Sequence, residues 1–233
     1  IKTKKYKDIL NKALENYSSG DGFTLAGHTR MVTHGSENYQ NNNQPILKQN
    51  SVLMHNGIIV NESEILQRFT KLKKQYDVDS EVFLLLFNYF IEKGNNLLVS
   101  FKRALNEVKG GNTFALFNAK NKNIYLHSSN GSLYFLNNPS LGVTVFSSEK
   151  NVLLGASKIF LGLTSLENIS EVIQAKKDEI FYVDTKTSKI NSLLTKDSDK
   201  LSDSHLLKAE KKIICHVFDN YNQKKIFPHL NNY

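Results

Sequence analysis

The segment at residues 82–91 constrains the fold more than any other part of this sequence. If it forms a helix, apolar side chains point in nearly every direction around the axis, among them Val82, Phe83, Leu86 and Phe90. A helix that is apolar on all sides must be covered on several of them. The segment is also too short to cross a bilayer. We therefore expect this helix to be sandwiched inside a globular protein.

The hydrophobic pattern changes from helical to β after Gly110 and Gly111. Upstream, apolar spacing predicts helices at residues 7–17, 61–74 and 97–108, a further helix that starts at Asp79 or Ser80, and strands at 23–26 and 51–60. Asn61 and Glu64 have the spacing of a capping box. Downstream, the pattern predicts strands at 113–117, 124–127, 133–136 and 143–147, a helix at 151–159 and a last strand at 179–183. This order favours an α+β fold with antiparallel sheet covered by helices.

Length and charge limit the classes of protein to which the chain can belong. With 233 residues it can bury a large core, and we predict one domain at residues 1–190 followed by a linker and tail at 191–233. The net charge is +8, but the lysine clusters at 2–5, 71–74 and 208–212 lack the aromatic or zinc-binding partners of a nucleic-acid site. We interpret them as solvated faces and expect neither a nucleic-acid nor a membrane partner. The single cysteine, Cys215, suits a reducing compartment, and we expect the cytoplasm.

Two segments carry the chemistry. Residues 27–35 place a guanidinium, hydroxyls and imidazoles between two glycines, and residues 52–59 form an apolar run interrupted by Asn56 and Gly57. Together they suggest a pocket for a small zwitterion beside a place to stabilise an oxyanion. Residue 1 is Ile, so no cysteine, serine or threonine stands there. No phosphate loop, dinucleotide-binding glycine motif or metalloprotease motif is present in the sequence, and we expect no cofactor and no metal.

Several short motifs occur in an order that resembles a known family. They are His28-Thr29-Arg30, Thr33-His34-Gly35, Gln44-Pro45, His55-Asn56-Gly57-Ile58-Ile59 and Asp79-Ser80-Glu81-Val82. Each motif alone is a weak signal, whereas five in register are a strong one. They resemble the glutaminase domain of class II glutamine amidotransferases, and within that family most closely the domain of glucosamine-6-phosphate synthases. The resemblance covers about residues 5 to 185.

The resemblance implies an N-terminal-nucleophile hydrolase fold, a four-layer αββα sandwich. In that family an N-terminal cysteine, with its own amino group as base, attacks the side-chain amide of glutamine. Ammonia then passes to a synthetase or isomerase domain or subunit. The nucleophilic segment of the family pattern is not among these 233 residues. We predict that an N-terminal stretch with the first strand and the cysteine precedes Ile1 in the mature protein.

The resemblance also assigns roles to residues of this chain. Arg30 would hold the α-carboxylate of L-glutamine through two charge-assisted bonds, with Thr33 and His34 completing that clamp. Asp79 would bind the α-ammonium group. The Asn56 side chain and the Gly57 backbone N–H would form the oxyanion hole, because a glycine lets the backbone approach the reacting carbonyl.

Three alternatives stay open at this point. A catalytically silent amidotransferase-like module could keep the glutamine pocket as a sensor or scaffold. A basic nucleic-acid-associated protein would share the charge, and another N-terminal-nucleophile hydrolase would act on a different amide. Simpler interpretations also apply to single residues: Asp79 could be only a helix cap, and Asn56-Gly57 only a turn.

Overall fold

The computed structural model describes residues 42–119, 123–138, 142–160, 172–185 and 190–195, and in addition 8, 11, 12, 15, 23, 24, 26–28, 214 and 215. Within those ranges, no helix is long and apolar enough to cross a membrane. The predicted helix at 7–17 lies largely outside the described residues. The architecture below is therefore that of the central two thirds of the chain.

Helices and strands alternate in the order that the sequence pattern predicts. The helices are α1 (Glu62–Arg68), α2 (Ser80–Glu92), α3 (Leu97–Glu107) and α4 (Lys150–Phe160). The strands are β1 (Phe23–Thr24), β2 (Ile46–Lys48), β3 (Ser51–Gly57), β4 (Asn112–Asn118), β5 (Asn123–Ser128), β6 (Tyr134–Asn138), β7 (Val143–Ser147), β8 (Ile173–Gln174), β9 (Glu179–Asp184), β10 (Ile190–Leu194) and β11 (Ile214–Cys215).

The largest sheet has six strands in the order β10-β9-β5-β4-β3-β2, and every neighbouring pair is antiparallel. Side chains alternate between its two faces. On β3, Leu53 joins the core beneath α2 and α3, whereas Met54 joins a second core on the opposite face. The sheet is thus covered on both sides, and β4 and β5 are buried almost throughout.

The second face of the large sheet packs against a three-stranded antiparallel sheet of order β7-β6-β8. Phe135 and Phe146 from the small sheet meet Phe181 and Leu126 from the large one in this core. On the far side of the small sheet, Leu153 of α4 packs against Val143 and other residues of β6 and β7. The layers are therefore helices, sheet, sheet and helix, which confirms the αββα sandwich. A separate parallel pair joins β1 to β11.

The first helix differs from its prediction. It ends at Arg68 rather than Lys74, and Asn61 makes no side-chain cap. The Asn61 side chain instead bonds across to Glu107 O and Lys109 N, at 2.9 and 2.8 Å. Beyond the predicted end, the Glu81 carboxylate accepts from the backbone N–H groups of Gln75 and Tyr76 and fixes that stretch in a non-helical form. The missing cap at Asn61 comes from contacts distant in sequence.

Helix α2 is covered on most of its sides. Most of its residues are buried, but Leu85 and Tyr89, one turn apart, are only partly covered. The helix lies in an outer layer, and this stripe faces residues 71–73 rather than the sheet. The apolar pattern therefore predicted the burial of α2 on all sides but this one.

The prediction left out four strands, β2, β8, β10 and β11, of five residues or fewer. Strand β10 pairs with β9 from Ile190↔Val183 to Leu194↔Glu179, so the large sheet continues past the predicted domain boundary at 190/191. The division into a domain and a tail remains a prediction.

Candidate functional site

The end of strand β3 forms a corner that only glycine can occupy. Gly57 has φ +140°, and a Cβ placed on it would lie 2.1 Å from the carbonyl oxygen of Gly111. Asn56-Gly57 is not a hairpin turn, because Gly57 still pairs with Asn112 and the chain then runs on to α1. We refer to Asn56 and Gly57 as the β3 corner.

The backbone N–H of Gly57 points away from strand β4. Residues facing each other in an antiparallel pair alternate between hydrogen-bonded and non-bonded pairs. Ile58 N bonds to Gly111 O, which makes Gly57↔Asn112 a non-bonded pair. On the side away from β3, the Asn112 N–H donates to Ser129 Oγ and the Asn112 carbonyl accepts from Ser129 N. The Gly57 N–H is thus directed toward the open side of β3, where a ligand oxygen could accept from it.

A small cavity opens beside the corner, between the two sheets. It measures about 50 Å³ and is lined by Gly27, His28, Met54, His55, Asn56, Thr113, Ala115, Leu133, Phe146 and Ser148. Its floor is apolar and its rim is polar. Asn56 is exposed and sits on the same sheet face as Met54 and Thr113, so its side-chain amide belongs to this rim.

The residue before the corner is fixed by an unusual number of contacts. The side-chain amide of Gln44 bonds the His55 backbone in both directions, donating to its carbonyl and accepting from its N–H, each at 2.5 Å. Gln44 thereby replaces a neighbouring strand residue at the sheet edge. The Gln44–Pro45 peptide is cis. The His55 ring stacks on Phe114 with centroids 4.6 Å apart.

The His55 ring also bridges two elements through hydrogen bonds. Its Nδ1 lies 2.9 Å from Ser80 Oγ on α2, and its Nε2 lies 2.9 Å from Asn112 Oδ1 on β4. Since the amide oxygen of Asn112 can only accept, Nε2 carries the proton and Nδ1 accepts from the Ser80 hydroxyl. Burial lowers the pKa of His55 below its usual 6.5, although Asp79 and the Asn112 bond act in the opposite direction. A neutral imidazole suits this pattern.

Asp79 lies close to the β3 corner, as its proposed role requires, but its carboxylate is already engaged. One oxygen accepts from Ile59 N at 2.7 Å and the other from Ser80 N at 2.9 Å. Asp79 is 5% exposed and is not among the cavity-lining residues. It caps α2 and ties the chain just after Gly57 to that helix. Each carboxylate oxygen keeps a further lone pair for a ligand.

The structure therefore places Asn56, Gly57 and Asp79 together, although Asp79 is more than twenty residues away in sequence. Arg30, Thr33 and His34 lie outside the described residues. Gln44, Ser80 and Asn112, which hold His55, had no role predicted from the sequence. Gln44 and Ser80 lie in two of the family motifs, but their contacts with His55 were not readable from the sequence.

The arrangement can stabilise negative charge on a carbonyl oxygen. The Asn56 side-chain amide lines the cavity, and the Gly57 backbone N–H follows it at the strand end, directed toward the open side of β3. Preorganised donors of this kind lower the barrier of acyl-transfer reactions. Among the described residues, no group of three or more histidine, cysteine or acidic side chains could hold a metal ion.

Sequence comparison finds relatives of this chain among known proteins. A family model described as "Glutamine amidotransferase domain" matches residues 28–155, more than half of the chain. A glutamine–fructose-6-phosphate aminotransferase (isomerizing) of Campylobacter jejuni is 28% identical over 178 residues, covering 76% of this chain and 29% of the relative. The enzyme of the same name from Streptococcus mutans is 34% identical over 115 residues, covering 48% and 19%. The chain thus spans less than a third of the length of these relatives.

A solved structure shares the fold. The glutamine phosphoribosylpyrophosphate amidotransferase of Bacillus subtilis, in complex with ADP and GMP, superposes with a TM-score of 0.53 over 73% of this chain and 34% of that chain, at 18% sequence identity. This likeness concerns the fold alone. With the family match over residues 28–155 and the αββα layers, it leads to one conclusion: the chain belongs to the glutamine amidotransferase domain family.

Proposed function

We propose that this chain is the glutamine-hydrolysing part of a larger amidotransferase. It binds L-glutamine, hydrolyses the side-chain amide to glutamate and releases ammonia to an acceptor site in another domain or subunit. Family membership supports the reaction class. The chain matches less than a third of the length of each relative, which supports a partner domain.

One observation carries the proposal more than any other. At the β3 corner, Gly57 directs its N–H away from β4 while the Asn56 amide reaches the cavity rim. In this proposal both groups donate to the amide oxygen of glutamine as it becomes an oxyanion. Arg30, Thr33 and His34 bind the α-carboxylate, and Asp79 binds the α-ammonium group through its remaining lone pairs.

The nucleophile belongs to the proposal as well. The family resemblance implies an N-terminal cysteine whose thiol attacks the amide carbon, forming a thioester as ammonia leaves. Water then hydrolyses the thioester and restores the thiol. Determining the N-terminus of the natural mature protein by mass spectrometry tests this step.

The acceptor class is a finer proposal. Both relatives described above are named glutamine–fructose-6-phosphate aminotransferases. Their name favours a sugar phosphate as the ammonia acceptor. We place the reaction in the cytoplasm, as the single cysteine suggests.

The test is ammonia and glutamate release from L-glutamine by the natural full-length protein. Asn56→Ala removes one oxyanion donor, and we expect kcat to fall by about 10²–10³-fold with a smaller change in KM. Asn151→Ala, an exposed asparagine at the start of α4, is the matched control and should leave both constants unchanged.

Two results would contradict the proposal. If Asn56→Ala hydrolyses glutamine at the wild-type rate, the β3 corner is not the oxyanion hole. If the natural protein binds glutamine but never releases ammonia, the sensor alternative is correct.

A further inference from the structure

A second, larger cavity lies on the outer side of the helical layer, away from the β3 corner. It measures about 320 Å³ and is bounded by α2, by residues 71–73 and by the turn at Lys48 and Gln49. Its size is at the lower end of the range for small-molecule pockets. We call it the α2 groove. The half-covered stripe of α2, Leu85 and Tyr89, forms one wall of it.

Positive charge dominates the groove. Four lysines line it, Lys48, Lys71, Lys73 and Lys93, against the single carboxylate of Glu92. Lys48 is neutralised by Glu81, 2.6 Å away. Lys71 and Lys73 are exposed, and neither forms an ion pair with any other residue that the structure describes. Two uncompensated ammonium groups on one wall favour an anion with more than one charge.

The wall that carries these two lysines is held rigidly. The Glu81 carboxylate is fully buried and accepts from Gln75 N and Tyr76 N at 2.6 to 3.0 Å. Lys48 Nζ adds a bond to Gln75 Oε1 at 2.6 Å and lies 4.5 Å from the centre of the Tyr76 ring. The segment after α1 is therefore fixed to α2. Preorganised positive groups bind an anion with a smaller entropy cost than mobile ones.

Charged and apolar side chains alternate around the groove. Along residues 71–73 the middle side chain, Leu72, packs partly against the core, whereas Lys71 and Lys73 are exposed on either side of it. Across the groove, Lys93 Nζ lies 5.5 Å from the centre of the Tyr89 ring. Leu72, Leu85 and Tyr89 supply apolar surface for the non-ionic part of a ligand.

We propose that the α2 groove binds a small phosphorylated molecule, with its phosphate groups between Lys71, Lys73 and Lys93 and its organic part on Leu72, Leu85 and Tyr89. The ammonium groups act as point charges on the phosphate oxygens, a role in which lysine is common. A groove of this size suits a compact anion better than an extended polymer. This site is separate from the glutamine site, and its test does not depend on glutamine hydrolysis.

The experiment is calorimetric titration of the full chain with inorganic pyrophosphate at low and high ionic strength. We expect binding that weakens with salt. Replacing both lysines in a Lys71→Gln, Lys73→Gln variant should weaken it about tenfold or more, since two ammonium–phosphate contacts are lost. Lys71→Arg with Lys73→Arg should keep the charge and most of the affinity.

A charge-matched control separates the groove from the overall charge of the protein. Lys150→Gln with Lys177→Gln removes two exposed lysines elsewhere and should change pyrophosphate affinity less than about twofold, because distant charges are screened. Equal weakening by both pairs, or no pyrophosphate binding at low salt, would overturn the proposal. A single-stranded oligonucleotide that binds through Lys71 and Lys73 where pyrophosphate does not would replace it with a nucleic-acid site.

Discussion

At the scale of single residues, Gly57 shows how backbone conformation positions a chemical group. Its φ of +140° is rarely open to other residues, and the carbonyl of Gly111 occupies the space of a side chain. The same close approach sets the register that turns its N–H outward. Asn-Gly is usually taken as a turn signal, and here it marks the end of a strand.

Gly57→Ala should therefore destabilise the fold strongly. We expect a loss of about 3 kcal/mol or more in the free energy of unfolding, from the unfavourable φ and from the contact with Gly111. Gly94→Ala is the matched control, because Gly94 also has positive φ (+82°) but has open space around its Cβ position. It should cost about 1 kcal/mol. Urea unfolding of both variants measures the difference, and equal losses would contradict the role of the Gly111 contact.

Asp79 caps α2 and, in the proposed function, also binds the α-ammonium group of glutamine. Asn at this position keeps one acceptor oxygen but turns an NH₂ group toward one of the two backbone donors, Ile59 N or Ser80 N. We expect Asp79→Asn to raise the KM for glutamine and to lower stability by about 1–3 kcal/mol. Glutamine titration of the purified variant, together with its unfolding curve, checks both effects. Unchanged KM in a folded variant would leave Asp79 as a helix cap only.

At the scale of elements, one buried ion pair anchors the segment that follows α1. Glu81 on α2 is fully buried, and Lys48 at the end of β2 has a side chain that is 14% exposed. The Glu81 carboxylate also accepts from the backbone N–H groups of Gln75 and Tyr76, so the contact joins a strand, a helix and this segment. The sequence pattern for a longer α1 was locally reasonable, since Leu72 continues the apolar spacing, but the structure ends the helix at Arg68.

Removing one partner of the Lys48–Glu81 ion pair should destabilise the fold. Glu81→Ala leaves the Lys48 ammonium and two backbone N–H groups without their acceptor, and we expect a loss of about 3–5 kcal/mol. Glu64→Ala is the comparison, because the Lys109–Glu64 pair is 66% and 57% exposed, and should cost less than about 1 kcal/mol. Amide hydrogen exchange at Gln75 and Tyr76 should speed up only in the first variant. Unchanged exchange there would contradict the tie between segment and helix.

At the scale of the whole molecule, the αββα layers could be predicted because they follow from local signals and from the family motifs. Strand β7 at Val143–Ser147 and the start of α2 beside Asp79 are where the pattern places them. The missed parts depend on distant partners. Examples are the Asn61 bonds to the end of α3 and the Gln44 amide that bonds the His55 backbone. No local pattern encodes such contacts.

Two buried histidines give the molecule a predictable pH response. Burial lowers the pKa of His127 below 6.5, as it does for His55, although the bond from Nδ1 to Glu179 O acts the other way. The unfolded chain then binds protons more readily than the folded protein. The free energy of unfolding should therefore be highest above pH 6.5. It should fall as the pH drops below 6.5, by up to about 1.4 kcal/mol per pH unit for each histidine.

Urea unfolding across pH 5 to 8 measures this response. In the His127→Gln variant, the free energy of unfolding should depend less steeply on pH below 6.5. An equal pH dependence in the wild-type protein and the variant would mean that His127 does not contribute.

The central claim, a glutamine-hydrolysing site at the β3 corner, is tested most directly by covalent labelling of its nucleophile. The natural full-length protein is incubated with a glutamine-like electrophile and analysed by intact and peptide mass spectrometry. The account predicts one adduct, on an N-terminal cysteine, that L-glutamine prevents and that Asn56→Ala forms much more slowly. An adduct on Cys215, or no adduct in a protein that binds glutamine, would contradict it.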